Sequence, residues 1–101
     1  MAAYSEILNA ARRLLLLQIL AESTAYTSNE HTLGALAAEV GHGVSAGRLC
    51  ADLRWLEERT LLQAKEVGGV LVATLTQDGQ DAAQGRLRVA GVDAPRPPMP
   101  Q

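Results

Sequence analysis

Asp52-Leu53-Arg54-Trp55-Leu56-Glu57-Glu58-Arg59-Thr60-Leu61-Leu62 passes from a helical pattern straight into a β-prone one. Leu49, Leu53 and Leu56 share one helix face, so 45–59 reads as a helix whose start Ser45 caps. The opposite face carries Gly47, Ala51, Arg54 and Glu58, flanked by Arg48 and Trp55. Residues 61–67 and 70–75 bracket Gly68-Gly69. Two β-prone runs around two glycines predict a hairpin, because glycine supplies the positive φ that such a turn requires. Thr76 then caps a last helix with Asp78 in its first turn, running to about Arg86.

Upstream, 27–40 reads as a helix. Thr27-Ser28-Asn29-Glu30 has capping-box spacing, with the Thr27 hydroxyl serving the Glu30 amide and Glu30 reaching back. Leu33, Leu36, Ala37 and Val40 form the expected buried stripe, and Gly41 is placed for a left-handed turn. His42-Gly43-Val44 makes the tight connection to Ser45. The opening helix covers 4–22. Tyr4, Ile7, Leu8, Ala11, Leu14, Leu15 and Ile19 make one apolar stripe at helical spacing. Leu16, Leu17 and Leu20 fall off that stripe. They need a second cover, which is either a later element of the same chain or a second subunit.

The chain has 101 residues, enough for one small domain and not two. Its hydrophobic fraction is 48% but its aromatic fraction is 3%, so the core must be aliphatic. A charged fraction of 20% and a net charge of −2 exclude disorder over the whole length. They also exclude nucleic-acid binding by bulk electrostatics. Cys50 has no internal partner for a disulfide, so nothing argues for secretion. The longest apolar stretch is too short to span a membrane, and no cleavage site follows it. The expected setting is cytoplasmic. From about Ala90 the composition shifts, and 91–101 holds four prolines. The division expected is a domain over 1–88 and a Pro-rich segment over 89–101. That segment is either a disordered tail or an arm lying on a partner.

The order helix, helix, short glycine-containing turn, helix, hairpin, helix is a helix-turn-helix followed by a wing. Up to about Arg88 the chain resembles the winged helix-turn-helix superfamily, especially small ArsR-type and MarR-type regulators. The 52–62 stretch resembles the end of a recognition helix entering the first wing strand. Ala73-Thr74-Leu75-Thr76-Gln77-Asp78-Gly79 resembles the Leu-Thr-x-x-Gly that closes the wing. One departure is Thr60, where such families usually place glycine. A threonine there either takes a strained left-handed conformation or ends the helix differently, at a cost of about 1 kcal/mol. At closer range three features resemble small winged-helix proteins of Mu-like phages and prophages. They are the leucine-rich opening helix, the Asp-Leu-x-Trp-Leu-Glu-Glu stretch and Gly91-Val92-Asp93-Ala94-Pro95. The fold class expected is therefore mainly α with a β-hairpin wing.

The resemblance implies a dimeric DNA-binding regulator that lays its third helix in the major groove. The matching contacts are Ser45, Arg48, Arg54 and the wing residue Lys65. Arg48 and Arg54 are each able to grip a guanine edge. Against this, the charges of 45–59 sum to zero, Glu58 lies on the groove face, and the wing tip carries no cation. Leu16, Leu17, Leu20 and Trp55 are the candidate interface residues. Trp55 either folds back against the wing or anchors a partner. The second functional expectation is accordingly a protein-interaction module using the third helix and the tail, without DNA. Metal sensing, known among ArsR-type proteins, needs grouped Cys or His ligands, and Cys50, His31 and His42 offer no paired motif. No cofactor and no catalytic constellation are expected.

Overall fold

The structure is a computed structural model, and it describes residues 2–97. In chain order the elements are α1 (Ala2–Ala21), a short 3-10 turn (Thr24–Tyr26), β1 (Thr27–Asn29), α2 (Glu30–Glu39) and α3 (Ala46–Glu58). β2 (Leu62–Val67), β3 (Val70–Leu75) and α4 (Gln77–Ala83) follow. The three strands form one antiparallel sheet in the order β1-β3-β2.

The hairpin forms where the two glycines predict it. Val67 pairs with Val70 across the turn, and Gly68 and Gly69 have φ of 57° and 80°. Two positive φ values in succession are what a type I′ turn demands. Along β3, Leu71, Ala73 and Leu75 point inward in strict alternation. Thr60 does adopt the left-handed conformation, with φ 61°. The turn is closed by Leu61 N–H donating to the Leu56 carbonyl. Gly79 explains the closing motif physically. A Cβ there would overlap the Leu61 carbonyl oxygen, so only glycine lets α4 rest on the chain entering β2.

The core is aliphatic, drawn from every layer: Leu16, Leu17, Leu20, Leu33, Leu53, Leu56, Leu61 and Leu62 are all essentially inaccessible. Four sequence expectations are corrected here. First, Leu16, Leu17 and Leu20 are 0% exposed within the single chain. They are core, and no second subunit can reach them. The N-terminal part of the expected stripe is what stays outside: Tyr4 is 70%, Ile7 65% and Leu8 39% exposed, while Leu14 is buried and Ala11, Leu15 and Ile19 are half-buried. The run Leu14-Leu15-Leu16-Leu17 puts leucine on every side of the helix, so periodicity alone cannot choose the buried side. Second, Thr27–Asn29 is a strand, because the open edge of β3 takes it up with Thr27 opposite Thr74. The cap of α2 is Asn29, whose side chain accepts from Thr32 N–H, and the capping box does not form. Third, α2 buries Leu33 and Ala37, while Leu36 and Val40 are exposed. Fourth, α4 ends at Ala83, ahead of Gly85 with φ 84°.

The described part of 89–101 does not leave the domain. Val92 joins the core, and Asp93 N–H donates to the Ala10 carbonyl of α1. The last four residues of that stretch lie outside the described residues. Among the described residues no helix is long and apolar enough to cross a membrane.

Candidate functional site

α3 is positioned by its buried line, Leu49, Asp52, Leu53 and Leu56. Asp52 is the exception in that line, and it is only 1% exposed. Arg12 of α1 meets it, with Nε and Nη2 donating to Asp52 Oδ2 and Oδ1. Arg12 Nη2 also donates to Asn9 Oδ1 at 2.7 Å. Arg13 Nε lies 3.8 Å from Asp52 Oδ1. The helix charges that summed to zero in the sequence are therefore unevenly placed, since Asp52 does not face solvent.

The four predicted DNA contacts differ in what they already touch. The Ser45 hydroxyl is spent on the cap, accepting from Arg48 N–H at 3.1 Å. Arg48 is exposed on the first turn of α3. Arg54 reaches sideways to β2: its Nη1 donates to Glu57 Oε1 at 2.9 Å and to the Ala64 carbonyl at 3.3 Å. Glu57 Oε2 accepts from Ala64 N–H at 3.1 Å. That bond, with Arg54 beside it, holds the Glu57 carboxyl below its ordinary range. Together the two side chains occupy the outward N–H and carbonyl of Ala64, which otherwise would be an open strand edge. Lys65 follows on β2 and is exposed.

Trp55 is not a free anchor. The Arg13 guanidinium lies 3.8 Å from its ring centroid and the Arg59 guanidinium 3.5 Å. Gly91 closes against the edge of the indole, and its carbonyl accepts from Arg13 Nη1 at 3.1 Å. Trp55 folds back onto Arg13 of α1 and Gly91 of the C-terminal segment, where the sequence expected either the β2–β3 hairpin or a partner.

A second polar node ties α2, α3 and β3 together. Glu30 Oε1 accepts from Leu71 N–H at 2.8 Å, and Oε2 accepts from the Cys50 thiol at 2.7 Å. The thiol is pushed up to about 11, first by that bond and then by burial. Among the described residues no group of three or more His, Cys, Asp or Glu side chains gathers to hold a metal.

Sequence reasoning missed Arg12, Arg13, Asp52 and Arg59. A signal was present: Asp52 is in register with Leu49 and Leu56, and Arg12 with Leu16 and Leu20. Opposite charges at core positions of two helices pair with each other, because neither can be buried alone.

Over 93 residues, covering 92% of this chain and 96% of the relative, the sequence is 40% identical to the uncharacterized protein gp26 of Escherichia phage Mu. The chain belongs to the family of that Mu protein. An uncharacterized protein of Haemophilus influenzae is 32% identical over 75 residues, 73% of this chain and 72% of the relative. No family model matches the chain. No solved structure matches it.

Proposed function

We propose that this chain is a winged-helix DNA-binding protein acting as a dimeric, phage-type transcriptional regulator without a cofactor. α2, the 40–45 turn and α3 are its helix-turn-helix, and β2–β3 its wing. One observation carries the reading. The outer face of α3, at Ser45, Gly47, Arg48 and Ala51, is exposed, while a hairpin flanks the same helix. Small residues let a helix sit deep in a major groove, and the wing supplies a backbone contact beside it. The kinship with a phage protein supports the phage setting.

Roles divide by what each side chain is already doing. Arg48 reads base edges. Arg54 holds the wing to α3 through Glu57 and Ala64, and it reaches DNA only by giving up that clip. Lys65 meets phosphate. The exposed row Tyr4, Ile7 and Leu8 on α1 is the dimer contact, and pairing two helix-turn-helix units matches a palindromic site.

A titration of duplex DNA at two salt concentrations tests the reading. Arg48→Ala is expected to cost about 1–3 kcal/mol on the preferred site and to relax preference at one position. Lys65→Ala is expected to weaken all sequences alike and flatten the salt slope by about one unit. Absence of duplex binding below about 100 µM at physiological salt would sink the reading. The protein-interaction module would then stand, favoured by the exposed Leu36, Val40 and Val44 around the end of α2.

A further inference from the structure

Arg12 takes both oxygens of Asp52. Arg13 is left at the margin of that carboxylate, and its buried Nε has no hydrogen-bond partner among the described residues. Its pKa lies below the ordinary arginine value, chiefly through burial. Asp52 opposes that shift, and the charges of Arg12, Arg59 and Arg48 add to it. The Arg13 and Arg59 guanidiniums lie 3.8 and 3.5 Å from one ring centroid. Both distances are single van der Waals contacts, so the two cations occupy opposite faces of Trp55.

Residues 48, 55 and 59 are seven and four apart, which places them in one line along α3. Arg48 and Arg59 are both exposed at the two ends of that line. At about 1.5 Å per residue they stand about 16 Å apart along the helix. The carboxylates paired with these arginines are Asp52, already committed to Arg12, and Glu58, which is 74% exposed and 3.7 Å from Arg59, while Glu6 lines the cleft beside Arg13. An exposed pair of that length neutralises little. Arg12, Arg13, Arg48 and Arg59 thus outnumber Asp52, Glu58 and Glu6 on one flank of a chain whose net charge is −2. Arg59 Nη1 donates to the Trp55 carbonyl at 3.2 Å, and the guanidinium held over the ring keeps its remaining donors in its own plane for the grip that phosphate accepts.

We propose that this flank of α3 is a phosphate-binding strip for a nucleic-acid backbone, with Arg59 as the contacting group and the base-reading Arg48 at its other end. Trp55 is a positioning residue that holds Arg59 flat, and Arg13 behind the ring supplies a fixed second charge. The strip rests on the DNA reading above and extends it to a side of the helix that faces away from the wing.

Trp55 is the single tryptophan, so its emission reports on the strip in the unaltered protein. Adding a short duplex at low salt is expected to shift that emission, while polyglutamate of equal charge is not. Arg59→Gln, with its fold checked by circular dichroism, is expected to flatten the salt slope by about one unit. Arg59→Lys is expected to restore the slope without restoring the emission change. Duplex binding with unchanged emission and an unchanged slope in Arg59→Gln overturns the strip and leaves the α3 reading intact. Polyglutamate binding as tight as duplex overturns the phosphate assignment. No duplex binding at all overturns strip and reading together.

Discussion

Asp52 and Arg12 stand where the pattern of each helix calls for an apolar side chain, and their pairing decides which face of α1 goes inward. Removing one partner strands the other charge in a dry core. Asp52→Ala is expected to cost about 3–5 kcal/mol in urea unfolding. Arg12→Met together with Asp52→Leu should recover most of that loss, because well-packed apolar residues replace buried pairs at little cost. A double variant no better than the single one would show that the pair contributes more than mutual neutralisation. Glu30 has a different signature. Its carboxyl is held below its ordinary range by the Cys50 thiol and the Leu71 amide. The unfolded chain therefore binds this proton more readily than the folded one. The contribution is fully present above the ordinary value of 4.5 and is lost as pH falls through the lower folded value. Unfolding of wild type and Glu30→Gln, compared from neutral to acid pH, should converge at the acid end. The Cys50 thiol, pushed up to about 11, should react slowly with thiol reagents at neutral pH.

At the scale of elements, two single residues govern how α3 hands over to the sheet. Gly79 gives α4 its seat on Leu61, and Gly79→Ala should be severely destabilising, because the new atom meets backbone rather than a yielding side chain. A melting temperature within a few degrees of wild type would show that α4 can shift. Thr60 works the other way. Its left-handed conformation is a strain that glycine would relieve, so Thr60→Gly should stabilise the domain by about 1 kcal/mol. The resemblance that singled out Thr60 and Gly79 was informative because both are backbone constraints, readable from residue type. β1 was not legible, since a three-residue strand has no periodicity of its own. It forms because β3 has an edge to fill. The Arg54–Glu57 clip was hidden for a related reason. Its partner is the backbone of β2, which has no side-chain signature.

At the scale of the whole molecule, the exposed row Tyr4, Ile7 and Leu8 gives the dimer reading a definite location. Ile7→Glu with Leu8→Glu should leave a monomer that keeps its helical spectrum, because neither side chain belongs to the core. Sedimentation of the wild type as a monomer at micromolar concentration would refute the dimer contact. Leu16→Glu is expected to unfold the chain instead, since that position is fully enclosed. The C-terminal segment also acts at this scale. It lies across α1 and Trp55, so cutting the chain before Val89 should loosen the Trp55 stack as well as the core around Val92.

The sequence by itself determined the helices, the hairpin and their order, because capping residues, glycines and local periodicity act over a few residues. It also determined the buried line of α3, where leucines at 49, 53 and 56 leave one choice of face. Only the tertiary structure decided the facing of α1, the capture of 27–29 by the sheet and the docking of 89–93. Each of these turns on a partner far away in the chain: Asp52 for Arg12, Thr74 for Thr27, Ala10 for Asp93. A run of leucines can bury any side, and a polar side chain can serve surface or core. The choice falls to whichever arrangement leaves no buried charge or strand edge without its complement.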